Sequence, residues 1–179
     1  MKTKLKMKTK MKPKMKTKTT KTKKTLTAKK KTVSPIPKGA ATLTAYLIVK
    51  DAAKAIEFYK NALGAKEKYR IEAPPGMVGH AELVIGNTLF MLSEEYPEMN
   101  AKGPHSIGGT PITLSIYAKD VDQAAEKAIA AGMTVIRPVE DQFYGLRSGV
   151  FQDPFGHMWS IATQIEVVSP KEMQKRAEK

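Results

Sequence analysis

The sequence contains no cysteine among its 179 residues. This absence excludes disulfide bonds, thiolate nucleophiles and cysteine metal sites, and it is typical of a reducing compartment, so we expect a cytoplasmic protein. Long apolar runs are also missing, since no stretch approaches the ~20 residues of a membrane-spanning helix. The N-terminus has no apolar core behind its charges, so the sequence predicts neither a signal peptide nor a membrane span.

Acidic and aromatic residues are both absent from the first 38 positions, which hold 16 lysines. Such a segment cannot bury enough apolar surface to offset the entropy lost on ordering, and its like charges repel each other. Residues 1–38 are therefore predicted to be a disordered lysine-rich tail that ends in a proline-containing linker.

The formal net charge of +14 arises from this tail. The rest of the chain, from Gly39 onward, holds 15 Lys and Arg against all 17 Asp and Glu, so its net charge is −2. A basic nucleic-acid-binding fold is therefore not indicated. Residues 1–31 have two interpretations: a solvated low-complexity extension, or a tether that binds polyanions weakly and in a salt-sensitive way.

A strand–helix–three-strand pattern occurs twice in the rest of the chain. In each copy an aspartate, Asp51 or Asp120, precedes a one-sided apolar helical stripe, and a glycine, Gly64 or Gly132, ends it. The two aspartates and the two glycines are separated by nearly the same interval along the chain, which indicates a duplication. The prediction is one domain at 39–165 with modules at 41–100 and 110–165, followed by a short C-terminal helix at 166–179.

The alternation of side chains along each predicted strand separates two faces. Apolar residues such as Leu47 and Leu114 suit the face that the helix covers. The other face mixes hydroxyls, aromatic rings and a histidine–glutamate pair, which suits a small-molecule pocket; the alternative is that the hydroxyls bond each other or water. The side chains expected to face this cleft are Thr44, Tyr46, His80, Glu82, Thr113, Ser115, Tyr117 and Ser160.

Four short motifs accompany the duplication: YLIV at 46–49, AIEFY at 55–59, LGA at 63–65 and DPFGHMWS at 153–160. With the paired modules they resemble the vicinal-oxygen-chelate superfamily, which includes glyoxalase I, the bleomycin-resistance proteins and the extradiol dioxygenases. The resemblance is greatest to its glyoxalase-like, PhnB-like branch. It implies an α+β fold in which two tandem βαβββ modules form a curved mixed-sheet cleft, with helices outside and commonly a homodimer.

The same resemblance implies four metal-ligand positions. By alignment they fall on Thr44, Phe90, Thr113 and Ser160. None of these is a normal ligand for a divalent first-row metal. No metal site and no cofactor are therefore predicted, and neither glyoxalase I chemistry nor extradiol cleavage is expected by the usual mechanism. Phe90 is retained as a residue of the expected ligand cleft.

Two further groups of residues are candidates for chemistry. His80 and Glu82 lie two apart on one strand, where they would act as a general base, form half of a relocated divalent-metal site, or simply bond each other. The segment that carries Tyr144 and Arg147 contributes to the cleft mouth in the resembling branch. Arg147 would pair with an anionic ligand or with a neighbouring acidic residue such as Asp141, and the local salt bridge is preferred.

Three functions are consistent with these features. The leading interpretation is a bleomycin-resistance-like protein that binds an unknown small molecule in a cleft between its two halves, without the usual metal. The second is a metal-dependent lyase, isomerase or dioxygenase that uses a relocated site at His80 and Glu82. The third is an accessory protein that binds polyanions through residues 1–31.

Overall fold

A computed structural model describes residues 33–178 of the chain. The predicted disordered tail therefore lies, up to residue 32, outside the described residues. Among the residues described, no helix is long and apolar enough to cross a membrane.

The described residues form two successive strand–helix–three-strand modules. The first contains β1 (Tyr46–Val49), α1 (Ala52–Leu63), β2 (Lys66–Glu72), β3 (Val78–Ile85) and β4 (Thr88–Glu94). The second contains β5 (Thr113–Tyr117), α3 (Val121–Ala130), β6 (Thr134–Asp141), β7 (Leu146–Gln152) and β8 (Met158–Gln164). A 3-10 turn (Pro97–Met99) and the short α2 (Pro104–Ile107) connect them, and α4 (Pro170–Ala177) follows the second module.

Each module builds one four-stranded mixed sheet with the same connectivity. The strand orders are β1-β4-β3-β2 and β5-β8-β7-β6. In both sheets the first strand runs parallel to the last, and the remaining pairs are antiparallel. The predicted α+β fold class with two tandem βαβββ modules is confirmed.

The two long helices begin and end where the sequence predicts. Asp51 accepts a hydrogen bond from the Lys54 amide at 3.1 Å, and Asp120 accepts one from the Gln123 amide at 3.0 Å. These side chains satisfy amides that the first helical turn leaves unpaired. Gly64 closes α1 at φ +66°, a left-handed conformation that glycine adopts without steric cost.

The helix-covered sides of both sheets share one apolar core. Tyr59 on α1 lies 5.7 Å from Phe90 in β4 and 5.5 Å from Trp159 in β8, measured between ring centroids. Helices α1 and α3 contact each other across this core. Residues of both sheets that point the same way are buried there: Leu47, Val49, Ala81, Leu83, Leu92, Phe151 and Ile161.

The shared core lies on the helix-covered faces of both sheets, so the uncovered faces point away from it. The assignment of side chains to covered and uncovered faces agrees with the burial along β1, β3, β5 and β8. The ligand cleft between the two halves stays a prediction.

Candidate ligand-binding faces

A bulge in β2 places two consecutive side chains beside Glu82. The register pairs Glu67 with Leu83 and Tyr69 with Glu82, which leaves Lys68 as the extra residue. Lys68 Nζ donates to Glu82 Oε2 at 2.6 Å, and the Tyr69 hydroxyl donates to Oε1 at 2.8 Å. Both carboxylate oxygens of Glu82 therefore have donors inside the sheet.

These contacts keep Glu82 ionised. The Glu82 residue is only 9% exposed, which by itself would favour the neutral acid. The hydrogen bond from Lys68 outweighs that burial and lowers the pKa of Glu82 below its ordinary value, with a smaller lowering from Tyr69. A carboxylate with a lowered pKa and two donors is a weak general base, so Glu82 is better suited to orienting its neighbours than to accepting a proton.

His80 lies next to Glu82 on the same face but bonds a different residue. Its Nδ1 is 3.1 Å from the Tyr46 hydroxyl, and its ring lies 5.6 Å from that of Tyr46 and 5.9 Å from that of Tyr69. The interpretation in which His80 and Glu82 bond each other is therefore wrong. Residues two apart on a strand are separated by ~6.6 Å along the chain; Glu82 bonds the adjacent β2, and His80 reaches across β4 to Tyr46 on β1.

The strand register shows which other side chains belong to this surface. Tyr46 pairs with Met91, Met91 with Glu82, and Glu82 with Tyr69, and paired residues share a face. We call the surface formed by Tyr46, Lys68, Tyr69, His80, Glu82 and Met91 the first polar face. Sequence analysis predicted Tyr46, His80 and Glu82 on it, but it missed Lys68 and Tyr69 because no local pattern reveals a bulge.

Phe90 does not belong to the first polar face. It is 5% exposed and packs edge-on against Tyr59 and Trp159 in the core. The prediction that Phe90 lines the cleft is off by one residue along β4. Tyr46 in the first module pairs with Met91, just as Ser115 in the second module pairs with Ser160, so Met91 is the equivalent of Ser160. The position beside Tyr46 is thus occupied by a methionine side chain.

The uncovered side of the second sheet carries mainly hydroxyls. Ser115 pairs with Ser160, and Tyr117 pairs with Ala162, which in turn pairs with Ser148. We call the surface formed by Thr113, Ser115, Tyr117, Ser148 and Ser160 the second polar face. The predicted orientation of Thr113, Ser115, Tyr117 and Ser160 agrees with this placement. Tyr117 is 73% exposed on the unpaired side of β5.

Three predicted site residues lie elsewhere. Thr44 precedes β1 and donates its hydroxyl to the Ala41 carbonyl at 3.3 Å. Tyr144 lies in the β6–β7 turn, where its ring packs edge-on against Phe143.

Arg147, the third of them, does not face the second polar face. It alternates with Leu146 and Ser148 along β7 and forms ion pairs with Asp122 on α3 at 2.8 Å and Asp141 at 2.9 Å. Because Arg147 lies on the helix side, it does not contact a ligand on the second polar face as predicted. The preferred salt bridge with Asp141 is present. The pKa of Asp122 is lowered by the hydrogen bond from Arg147.

The residues at the four family metal positions do not fit a divalent metal. Thr44, Thr113 and Ser160 offer neutral hydroxyls, and the corrected fourth position, Met91, offers a thioether, whereas these metals prefer imidazole and carboxylate ligands. Within residues 33–178 no three His, Asp or Glu side chains are grouped closely enough to hold a metal ion.

Two neighbouring cavities of about 340 and 360 Å³ lie between the modules, and the second of them is bordered by residues of α1 and α3. Ile85, Ile116 and Tyr117 border both of them. The first brings together three of the predicted site residues, Phe90, Ser115 and Tyr117. No residue of the first polar face lines either cavity.

The closing motif has a structural role. Asp153 is 3% exposed, and its Oδ2 accepts hydrogen bonds of 2.8 Å from both the Tyr59 hydroxyl and Trp159 Nε1. Its Oδ1 accepts from the amides of Phe155 and His157, both at 2.9 Å. This carboxylate thereby joins α1, the β7–β8 turn and β8, which explains why the motif accompanies the fold and not a particular chemistry.

Comparison with known proteins agrees with this architecture. The family model of the Glyoxalase/Bleomycin resistance protein/Dioxygenase superfamily matches residues 40–161. The chain therefore belongs to that superfamily. An uncharacterised protein of Mycobacterium bovis, Mb0911c, is 42% identical over 135 residues, which cover 74% of this chain and 89% of the relative.

Solved structures share the fold. TioX from Micromonospora sp. ML1 superposes with a TM-score of 0.57 at 24% identity, over 70% of this chain and 99% of TioX. A gene product of Arabidopsis thaliana superposes with a TM-score of 0.57 at 26% identity, over 68% of this chain and 98% of its own.

Proposed function

We propose that this chain is a small-molecule binding protein of the bleomycin-resistance type, in the PhnB-like branch of its superfamily, that acts in the cytoplasm without the usual divalent metal. The observation that carries this proposal is the first polar face. There Tyr46, Lys68, Tyr69 and His80 are ordered around one carboxylate on an uncovered sheet. A few oriented polar groups among aromatic and apolar side chains are the usual composition of a ligand site.

The proposed functional unit is a homodimer. In a single chain the first polar face is uncovered: its Tyr46 is 48% exposed, and Ile71, which pairs with His80 beside it, is 53% exposed. The second polar face is uncovered as well, and its aromatic residue, Tyr117, is 73% exposed. A second copy that places its second polar face over the first polar face would enclose a pocket and cover all three side chains.

The geometry supports binding over metal-dependent catalysis at this site. If Glu82 became a metal ligand, the metal would share its carboxylate with Lys68 and Tyr69, which donate to its two oxygens. An ammonium group 2.6 Å from the carboxylate would also repel a divalent cation. The alternative lyase, isomerase or dioxygenase with a relocated site at His80 and Glu82 therefore has less support from the structure.

Elemental analysis of the full chain, together with thermal unfolding in the presence of Zn²⁺, Ni²⁺, Mn²⁺ or Fe²⁺, separates these two functions. The binding function predicts no stoichiometric metal and no stabilisation. About one metal per chain, with a stabilisation that disappears in the His80→Ala/Glu82→Ala double variant, would refute it. The matched control is Glu98→Ala, which removes an exposed carboxylate in the connection between the modules.

The lysine-rich segment favours a second partner class. We propose that residues 1–31 bind polyanions weakly and without sequence preference, because 16 lysines without a single acidic residue precede the fold. Binding to heparin that weakens steeply with salt, and that is lost when these lysines are replaced by glutamine, is the expected result. Equal heparin binding by both proteins would refute this role.

A further inference from the structure

We infer that the ligand of the first polar face is an anion on a flat apolar body, such as an aromatic carboxylate. This inference rests on the binding function proposed above and specifies the chemical class that the face selects. Two hydrogen-bond donors, two tyrosine rings and the point at which the chain enters the fold support it.

The first donor is the Lys68 ammonium group. It has three hydrogens and gives one to Glu82, and its side chain is 39% exposed. The charge of Glu82 is already paired with that of Lys68, and its second oxygen accepts from Tyr69. A ligand cation would therefore meet a carboxylate that is already paired, whereas a ligand anion would meet an ammonium group with free hydrogens.

The second donor is His80 Nε2. We assign the tautomer in which the Tyr46 hydroxyl donates to Nδ1 across 3.1 Å, and this assignment places the ring hydrogen on Nε2. Among the described residues Nε2 has no hydrogen-bond partner. Lys68 bonds Glu82 and His80 bonds Tyr46, so both donors belong to the first polar face, and the inferred ligand anion is the group that they would share.

The surroundings of these donors favour a flat apolar body. The rings of Tyr46 and Tyr69 flank His80, each inclined by 43° to the imidazole. Met91 lies beside Tyr46, and Ile71 pairs with His80 on the adjacent strand. Aromatic faces and aliphatic side chains around a small number of donors suit an aromatic ring that carries a charged substituent.

The entry point of the chain gives independent electrostatic support. A Cβ atom built on Gly39 would lie 3.9 Å from Lys68 Nζ, so the backbone joins the fold at the rim of the first polar face. The whole chain has a formal net charge of +14. A net positive charge favours the approach of anions over that of cations, and it does so more at low salt.

Three probes with the same ring and different charge test the inference. Benzoate, benzyl alcohol and benzylamine are titrated calorimetrically into the full chain at low and at high salt. Benzoate should bind about tenfold tighter than benzyl alcohol, the ratio expected for one charge-assisted contact, and benzylamine should bind more weakly than either. Replacing the lysines of residues 1–38 by glutamine should reduce the salt dependence of benzoate binding.

Variants assign the preference to Lys68. Lys68→Met should abolish the advantage of benzoate over benzyl alcohol, Lys68→Arg should retain it, and the control Lys102→Met, an exposed cation between the modules, should leave it unchanged. If benzyl alcohol or benzylamine binds as tightly as benzoate, the anion inference is overturned while the binding function stands. If none of the probes binds to protein that unfolds cooperatively, this inference fails, and failure of a wider panel of neutral compounds as well would overturn the proposed function.

Discussion

At the scale of single residues, Asp153 is the side chain on which most of the described structure depends. Its carboxylate accepts four hydrogen bonds from a tyrosine, a tryptophan and two backbone amides while it is almost completely buried. The burial and the adjacent negative charge raise the pKa of Tyr59 well above its ordinary value, so the tyrosine stays a hydroxyl donor. The pair is therefore a fixed link between the two modules.

We predict that Asp153→Asn lowers the free energy of unfolding by about 3 kcal/mol, because an amide cannot accept from four donors and its NH₂ group opposes a buried donor. Tyr59→Phe, which removes one of the bonds, should cost about 1 kcal/mol. Urea unfolding at neutral pH measures both losses. If Asp153→Asn costs no more than Tyr59→Phe, the assigned link between the modules is wrong.

His157 gives the fold a pH dependence. Burial of its ring lowers the pKa of His157, and the charge of His105 lowers it further. The charge of Asp153 and a hydrogen bond to the Ile48 carbonyl at 3.1 Å partly oppose this lowering. As the pH falls below the ordinary histidine value of 6.5, the unfolded chain takes up the proton first. The stability contributed by neutral His157 is therefore fully present above that pH and is lost as the pH falls toward the lower folded-state pKa.

The free energy of unfolding should consequently fall between about pH 7 and pH 5, and His157→Gln should flatten that decrease because glutamine can donate to Ile48 without titrating. Denaturant titrations at several pH values compare the wild type with this variant. His80→Gln is the control, since His80 bonds Tyr46 in the other module and is not among the groups that shift the pKa of His157. An equally steep decrease in His157→Gln would show that another group causes it.

At the scale of elements, the two modules differ in the side-chain contacts made near the N-terminus of their long helix, α1 or α3. The Glu94 carboxylate accepts from the amides of Asp51 and Ala52 at 2.9 and 2.7 Å, at the positive end of α1. At the equivalent position of the second module, Thr163 donates its hydroxyl to the Ala118 carbonyl at 2.9 Å. A carboxylate at a helix N-terminus gains from both the free amides and the helix dipole.

Glu94→Ala is therefore expected to destabilise the fold by about 1–2 kcal/mol, with Thr163→Ala as the matched variant in the second module at about 1 kcal/mol or less. Thermal and urea unfolding give both values. High salt should narrow the difference, because only the Glu94 contact carries a charge. Equal losses at every salt concentration would contradict a special role for Glu94 at α1.

The elements also show how far the sequence could predict the structure. Helix caps, turns and strand alternation depend on residues close together in the chain, so Asp51, Asp120 and the faces of β1 and β5 were predicted correctly. Interactions between strands were not accessible in the same way. The bulge that brings Lys68 to Glu82, and the strand register that selects Met91 over Phe90, depend on backbone pairing across the sheet, which sequence periodicity does not encode.

At the scale of the whole molecule, alternation tells which side of each strand is apolar but not which apolar sides will meet. The large side chains Tyr59, Phe151 and Trp159 fill the space between the helix-covered faces, and their burial favours joining the modules through those faces. Both polar faces are consequently left uncovered in one chain. In the proposed dimer a second copy would enclose the site, and the sequence of one chain gives no direct signal of such a partner.

The absence of cysteine makes this arrangement directly testable. We predict a dimer in sedimentation experiments, in which Ile71 on the side of the first polar face lies near Tyr117 on the second polar face of the partner. Chains with Ile71→Cys and Tyr117→Cys, produced together, should be joined efficiently by a short bifunctional maleimide. The control pair combines Tyr117→Cys with Lys54→Cys on α1, where the Lys54 side chain is 81% exposed. This pair should be joined poorly.

A monomer in solution would refute the dimer. Preferential linkage of Ile71→Cys to itself would instead place two first polar faces together. In that case Ser115 and Ser160 would have no part in the pocket, and the ligand would be enclosed by two identical sets of Lys68 and His80 donors.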